Sequence, residues 1–551
     1  MHVGSFSTQL SWPPTITITM SAEKQDIIAQ EESIQSFDEG VGDVEAITTH
    51  ASAYHKNAKG EDILHSGLKA GLKNRMVNLI AICGIIGPGS FMGFGNMLYA
   101  CGPAGMVAGF TIVGIVVMIT MFDVGELNAA YDANFAILGS RFISKGFGAT
   151  LALAYAVLWI TNIISEYTSL CVALEVYTGS IPFYGWFLIM WVFFTCFQTL
   201  NVSWWGETEY VLGFVKLGVL TAFYLFAIIY AAGGIKDHDP GNPFGNYPLK
   251  SGFKGIANAF VYAGVFYSGV EGVSIIAAET RNPRKAIPTA CRSTVFRIFY
   301  VYFGLSVTYG ITVSYVDPAF GSSNKLLRSP MTIAFTNAGW ENSKYYVTSM
   351  VLITCVSSIN SAIYFASRAI FTWAEAGYGP KIFTKTTSRG VPYVAIHFCH
   401  LWGFLCLLAS NSGSAAAYGY IVSVAGVSAF IAWVGVILTH MRFRRAWNSQ
   451  GLDVNKLPFK TPWFPWLDYV GIAIGVLLVL VQGWSCFVPF DYKTFVDSYI
   501  LLPIFFICWF CYDKFYFKSG FVKKHEIDFS YGRRQDLDDK SGESIDDFYD
   551  K

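Results

Sequence analysis

Residues 79–98 read LIAICGIIGPGSFMGFGNML. The stretch is apolar enough to enter a bilayer, yet Gly84, Gly87, Pro88, Gly89, Gly93 and Gly95 crowd it. Pro88 brings no N–H and its ring clashes with the preceding turn, while each glycine weakens a helix by up to ~1 kcal/mol. A regular helix therefore stops near Gly87-Pro88-Gly89. Irregular backbone at membrane depth survives only where protein buries it or where it lines a cavity. A second interrupted apolar stretch runs from Gly255 to Ala278, with Tyr267-Ser268-Gly269-Val270-Glu271 near its middle. Two such segments at matching places in two halves of a membrane chain are the best sequence pointer to a transporter's binding site.

Working outward, the rest of the chain has the composition of a membrane protein. Apolar residues make up 53% of its 551 residues and charged residues 14%, against ~25% charged in an average soluble domain. Formal net charge is +0, which argues against a nucleic-acid partner. Residues 1–70 are polar and acidic, with Glu31, Glu32, Asp38, Glu39, Asp43 and Glu45. They bury too little surface to fold alone and are expected to be a disordered cytosolic tail, either regulatory or an inert tether. Residues 519–551, acidic towards their end, are expected to form a second disordered cytosolic tail. No signal peptide is legible in the first 70 residues. The cysteines are scattered, and Cys508-x-x-Cys511 has no partner pair; packing, or lipidation near a membrane face, accounts for it.

Between the tails, residues 71–518 hold twelve apolar segments, each near the ~20 residues needed to cross a bilayer. They lie at about 78–98, 104–130, 149–177, 183–203, 209–233, 255–278, 293–316, 346–371, 393–410, 416–440, 467–488 and 497–517. With the N-terminus inside, inner flanks collect most of the positive charge. Examples are Lys69, Lys73 and Arg75, then Arg281, Arg284, Lys285, Arg292 and Arg297, then Arg368, Lys381, Lys385 and Arg389, and finally Arg442, Arg444 and Arg445. Outer loops carry few (Lys236, Lys250, Lys254, Lys325, Arg328, Lys344, Lys493). Both termini are then cytosolic. The sequon at Asn201-Val-Ser203 falls at an inner face and is expected to be unused.

Ionisable residues inside spans cost ~2.5–3.5 kcal/mol at mid-helix on insertion scales, so each needs a reason. Glu126, Glu166, Lys216 and Glu271 stand out. Glu175 lies near a segment end and is expected to reach the interface. For the other four the choice is between buried structural pairs, such as Glu with Lys, and proton carriers or partners for a substrate ammonium. Burial disfavours the charged form of either group, which is the property a proton-coupled carrier needs. The first break offers free N–H groups at a half-helix N-terminus, suited to a carboxylate, and the second offers free carbonyls near Tyr267 and Ser268, suited to an ammonium. Together they describe a site for a small zwitterion. Close packing of helices is the competing explanation for the glycines.

No catalytic chemistry competes. GxxxxGK[ST] and HExxH are both absent, and no cofactor or metal is expected. The histidines at 397, 400 and 440 lie at or near span ends without ligand companions, and His440 is expected at the interface.

Several stretches are similar to those of fungal amino-acid permeases of the amino acid–polyamine–organocation superfamily. LIAICGIIGPGSFMGFGNMLYACGPA resembles that family's first helix and following loop. Gly206-Glu207-Thr208-Glu209 resembles its GExE turn. YSGVEG at 267–272 with AAETRNPRKAIPTA at 277–290 resembles the sixth helix and its exit. SSINSAIYFASRAIFTWAEAGYGPKIF at 357–383 followed by RGVPY at 389–393 is the most specific match, and AWVGVILTHMRFRRAW with LPFK at 457–460 resembles the tenth helix and its exit. The likeness covers roughly Lys69 to Lys518.

The resemblance implies an all-α membrane protein of twelve transmembrane helices. Its core is a leucine-transporter-like 5+5 inverted repeat with discontinuous helices 1 and 6. It implies that Ile86, Gly87, Pro88, Gly89 and Ser90 hold the substrate carboxylate and that Tyr267, Ser268 and Gly269 hold its amino group. Thr168, Ala425 and Ser428 would face the side chain. Lys216, beside Ser357 and Ser358, would stand where sodium-coupled relatives bind a cation, which fits coupling to protons. Two departures touch the site. The family's G-G-x-I-G-T-G becomes Cys83-Gly84-Ile85-Ile86-Gly87-Pro88-Gly89, and its FSGTE becomes Tyr267-Ser268-Gly269-Val270-Glu271. HEIDFS at 525–530 resembles a branch linked to carnitine and polyamine uptake. The expectation is a plasma-membrane symporter of amino acids and protons, embedded in lipid and open to cytosolic regulators on its tails. The alternatives are a carrier of polyamines, carnitine or 4-aminobutyrate, and a nutrient sensor of the same fold.

Overall fold

The computed structural model describes residues 72–529 apart from 85, 132, 201, 237, 281–282, 323–325, 411–414 and 488, together with 54–56, 62–64, 68–69 and 533. The acidic stretches of both expected tails, the acceptor Asn201 and the residues Arg281 and Lys325 lie outside the described residues. Within residues 54–69, short strands cover Tyr54–Lys56, Asp62–Leu64 and Leu68–Lys69, and the last two pair antiparallel with Ile63 opposite Lys69.

The remainder is helical. Besides two short helices at Pro243–Asn246 and Pro330–Asn337, the helices are α1 (Asn74–Leu79), α2 (Gly93–Ala130), α3 (Phe135–Phe142), α4 (Lys145–Glu175), α5 (Phe183–Gln198) and α6 (Val202–Ala231). They continue with α7 (Phe253–Tyr267), α8 (Val273–Ile276), α9 (Pro283–Arg297), α10 (Gly304–Thr312) and α11 (Ser343–Glu375). The last are α12 (Tyr393–Leu401), α13 (Ala415–Ser449), α14 (Trp466–Val481), α15 (Tyr492–Tyr499) and α16 (Leu501–Cys511). Local signals set several starts. Asn134 caps α3 by accepting the N–H groups of Ala136 and Ile137, and Ser144 caps α4 by accepting that of Phe147, satisfying donors the helix cannot pair.

Among the described residues, nine helices are long and apolar enough to cross a membrane, or ten if α15 and the run Leu501–Tyr516, bent by 41°, form one span. Helix α5 is apolar but shorter, at 16 residues. The first apolar segment is not one helix. It breaks after Gly84, and its second half joins the next segment in α2. Within α2 the chain turns sharply at Gly102, whose φ of 75° suits glycine, just before Pro103. The backbone bonds lost there are replaced. Cys101 C=O accepts the N–H of Lys250 (3.1 Å), and Ala104 N–H donates to Pro248 C=O (2.8 Å).

The core fills with side chains of α2, α4, α7, α11 and α13, including the buried aromatics Tyr155, Tyr267, Tyr364 and Trp433. The outward faces of α6 and α16 expose Leu225, Ile228, Phe506 and Phe510. This is the reverse of a soluble protein's surface and is what lipid covers. Three arginines assigned to inner flanks are not flanking charges. Arg297 and Arg368 are 0% and 3% exposed, and Arg444 is 5% exposed. Arg368 pairs with buried Glu279 (2.8 Å) and lies over the ring of Tyr364. Glu175 is exposed at the end of α4. The ordered chain also runs past Lys518. Val522 N–H donates to Ile143 C=O (2.8 Å), Tyr131 Oη donates to Phe529 C=O (3.1 Å), and Ile527 and Phe529 are buried with Phe142, Phe443 and Trp447. HEIDFS is legible as a mixed-charge tail, but its two apolar side chains have somewhere to pack.

Candidate functional site: two broken helices around a buried lysine

The first break begins where α1 and the π-turn Ile80–Gly84 end. Gly87 is extended (φ −92°, ψ −177°), and Pro88 opens a short 3-10 turn, Pro88–Ser90, that leads into α2. Pro88 thus sits where a helix start tolerates it. The N–H of Gly89 falls in that first turn, where there is no intrahelical acceptor. The carbonyls orphaned on the other side are capped by side chains. Cys83 C=O accepts from Lys216 Nζ (3.1 Å), Gly84 C=O accepts from Ser361 Oγ (3.2 Å), and Ala81 C=O accepts from Arg297 (3.4 Å). Two cations therefore meet the negative end of a half-helix.

Lys216 is 2% exposed. Its ammonium also donates to Ser357 Oγ (2.6 Å), and Ser357 Oγ in turn donates to Glu209 Oε2 (2.5 Å). Glu209 Oε1 accepts from Asn360 Nδ2 (2.8 Å), and Asn360 Oδ1 accepts from Gln198 (2.6 Å). Lysine and carboxylate are linked through a hydroxyl and make no direct ion pair. Glu166 approaches from α4. A Cβ placed on Gly87 would stand 3.0 Å from Glu166 Oε1 and 3.1 Å from Ser358 Oγ. Glycine there lets the carboxylate reach the break. Glu166 Oε2 has no hydrogen-bond partner among the described residues.

The second break follows α7. Ser268 is extended (ψ 140°) and Gly269 is left-handed (φ 92°), so the carbonyls of this turn leave the helical ladder. Glu271 is fully buried. Its Oε1 accepts the N–H of Gly269 (3.1 Å) and its Oε2 accepts Trp433 Nε1 (2.8 Å). The two breaks are tied together. Arg297, which bonds to Ala81, also donates to Tyr302 Oη (2.8 Å), and Tyr302 donates to Phe266 C=O (2.6 Å). A Cβ on Gly89 or Gly93 would lie within 2.8 Å of the Phe266 ring. That ring closes over the first break from the second.

The other expected residues fall as follows. Ile86 and Ser90 are buried at the first break, and Ser90 C=O accepts from Tyr309 (3.1 Å). Tyr267 turns its hydroxyl away to Phe110 C=O in α2 (3.1 Å). Ser268, Thr168 and Ser428 each bond to their own helix, at Val265, Ile164 and Val424. Ala425 is buried in α13, beside Gly426, which packs on Val265 just before the second break. Glu126 is not at either break. It belongs to a separate cluster with His440, which is 0% exposed and therefore not interfacial. His440 does have ligand companions, Asp123 and Asp468. Sequence could not show this, because Asp123 and His440 are remote in the chain. His400 is also buried, between Tyr167 Oη (2.5 Å) and Thr195 Oγ1 (3.0 Å).

Four residues of this site were not singled out from sequence. Glu209 stood in a recognisable turn, about two helical turns before Lys216 and on the same face, and that spacing was its signal. Arg297 was hidden among flanking charges. Trp433 and Tyr302 look like ordinary aromatics of apolar segments. In total, three carboxylates (Glu209 and Glu271 buried, Glu166 half-buried) and two buried cations (Lys216, Arg297) surround the breaks. One proton or one ammonium closes that balance, and low-dielectric surroundings penalise leaving it open.

Known proteins share this sequence over most of its length. A family model described as amino acid permease matches residues 76–526. An uncharacterized amino-acid permease of Schizosaccharomyces pombe is 50% identical over 502 residues, covering 91% of each chain. A general amino acid permease of Saccharomyces cerevisiae is 40% identical over 481 residues, covering 86% of each. A lysine-specific permease of Lactococcus lactis is 30% identical over 475 residues, covering 84% of this chain and 93% of the relative.

Proposed function

The chain belongs to the amino acid permease family, and from that premise we propose that it is a proton-coupled symporter importing amino acids across the plasma membrane. Twelve crossings in a 5+5 inverted repeat, with both termini cytosolic, complete the reading. Transport proceeds by alternating access around the two breaks. The N–H groups beside Pro88 take the substrate carboxylate, and the carbonyls of Tyr267 to Gly269, with Glu166, take the ammonium. Ala425, Ser428 and Thr168 border the side chain.

The observation that carries the proposal is the environment of Lys216. A buried ammonium caps the broken end of the first half-helix and reaches a carboxylate only through Ser357. Shuffling one proton along that hydroxyl bridge changes the charge at the cap, and with it the hold on the half-helix. Glu271 and Glu166 are the further acceptors near the breaks. The name of the 40% identical relative favours a broad amino-acid range over a single substrate.

The test is uptake against external pH, in a strain lacking its own permeases, by wild type and Lys216→Arg at matched surface levels. Arginine keeps the charge but does not release its proton, so the variant loses the acceleration at low external pH. Coupled, pH-dependent uptake by Lys216→Arg overturns the proton role. A competition panel of amino acids against amines lacking a carboxylate distinguishes an amine carrier, and signalling without flux marks a sensor.

A further inference from the structure

A second charged cluster lies away from both breaks, where α2, α13 and the first turn of α14 meet. His440 Nδ1 stands 3.1 Å from Asp123 Oδ1 and 2.8 Å from Asp468 Oδ2. All three side chains are 0% exposed. The imidazole nitrogen and one oxygen of each carboxylate lie within 4.8 Å of one another.

The other side of the ring is held as well. His440 Nε2 is 3.2 Å from Glu126 Oε2, which also accepts the N–H of Thr461 (2.6 Å), while Glu126 Oε1 is 2.9 Å from Arg444 Nε. The 3.2 Å approach of Nε2 to Glu126 lacks hydrogen-bond geometry, whereas Nδ1 shares a hydrogen bond with Asp468 Oδ2, so the ring is set with Nδ1 directed at the two aspartates. An independent observation points to a missing partner. Asp123 Oδ2 and Asp468 Oδ1 are buried without a hydrogen-bond partner among the described residues. Charge points the same way. Asp123, Glu126 and Asp468 face one guanidinium, Arg444, so the cluster is two positive charges short of neutral. Two protons supply them, or one divalent cation does.

We propose that Asp123, His440 and Asp468 form a binding site for one divalent first-row transition metal ion of the Zn²⁺ or Mn²⁺ kind. One imidazole and two carboxylates suit these ions, and the two unpartnered oxygens allow the aspartates to bind through both oxygens. Ca²⁺ takes six or more oxygens and Mg²⁺ keeps several waters, and a fully buried set of one imidazole and two carboxylates suits neither. Ligands ~2.0–2.2 Å from a tetrahedral Zn²⁺ stand about 3.3–3.6 Å apart. The His440 pairs at 2.8 and 3.1 Å therefore open by a few tenths of an ångström on binding. The ion's role is to fasten α2, α13 and α14 together at a point remote from the breaks.

The experiment uses the full chain purified into lipid nanodiscs. Metal content is measured directly, and thermal unfolding is followed in EDTA and with added Zn²⁺, Mn²⁺ or Mg²⁺. The expected result is stoichiometric transition metal and a rise of several degrees in unfolding temperature with Zn²⁺ or Mn²⁺ over EDTA, with no rise for Mg²⁺. Asp468→Asn and His440→Gln are expected to lose both the retained metal and the Zn²⁺-dependent rise. Wild type with no retained metal and no Zn²⁺- or Mn²⁺-specific rise overturns the proposal and leaves a network neutralised by protons. An undiminished rise in Asp468→Asn places the metal elsewhere and overturns it equally. The wild-type measurement decides even if the variants fail to fold.

Discussion

The charges around the two breaks and the charges around His440 are both largely buried but assembled differently. At the breaks, Lys216 and Glu209 meet through Ser357, and the groups they hold are unwound backbone. Around His440, donors and carboxylates touch directly at 2.8 to 3.2 Å and project from regular helices. A hydroxyl bridge to a broken helix can change protonation and conformation together. A direct network on unbroken stretches of helix resists both, because separating its members strands charge in a low dielectric. The first arrangement suits a moving part and the second a fastening.

The sharpest way to break this comparison is to remove one cation from each cluster. Lys216→Met is expected to reach the membrane yet lose concentrative uptake by ~100-fold or more, equivalent to ~2.7 kcal/mol. The check is uptake per surface molecule. Arg444→Met leaves Glu126 with less charge compensation, and breaking a buried pair costs ~3–5 kcal/mol. It is expected to lower surface abundance and unfolding temperature, while the pH dependence of uptake per molecule stays as in wild type. A changed pH profile in Arg444→Met would join the two clusters functionally.

Glu271→Gln sharpens the central side. Glutamine accepts with one oxygen only, so its amide nitrogen faces either Gly269 N–H or Trp433 Nε1 as a second donor. Concentrative uptake is expected to fall about tenfold, the equivalent of ~1.4 kcal/mol. Trp433→Phe removes a donor but keeps the carboxylate. If it transports better than Glu271→Gln, the acidic group matters beyond its hydrogen bonds. The smallest effect is expected from Pro88→Thr, which restores an N–H and adds a hydroxyl in the first turn of the break. Amino-acid affinity is expected to rise about two- to fivefold, or ~0.4–1 kcal/mol, in the range of one net hydrogen bond. An unchanged competition profile would remove that turn from substrate contact.

Much of the fold was legible because its signals are local. Gly87-Pro88-Gly89 breaks a helix wherever it stands, Gly269 supplies the left-handed turn, and runs of apolar residues announce helices whatever packs on them. The signals misled where one local pattern has two meanings. Arg297 and Arg368 follow segment starts and ends like flanking charges, but tertiary contacts turn them inward to Ala81, Tyr302 and Glu279. Ile527 and Phe529 sit in a charged tail, but a ring of Phe142, Phe443 and Trp447 receives them.

By itself, then, the sequence determined that this is a helical membrane chain, where two of its helices break, and that Lys216, Glu166 and Glu271 lie in apolar surroundings. Propensity, hydropathy and the missing N–H of proline act within a few residues, so they need no partner to be read. Only the tertiary structure decided which charges share a cluster. It set Lys216 with Ser357 and Glu209, joined the breaks through Arg297 and Tyr302, and moved Glu126 away to His440, Asp123 and Asp468. Those groupings depend on distances of about 3 Å between residues that can be hundreds of positions apart. Coulombic and hydrogen-bond energies fall off too steeply with distance for spacing along the chain to reveal them.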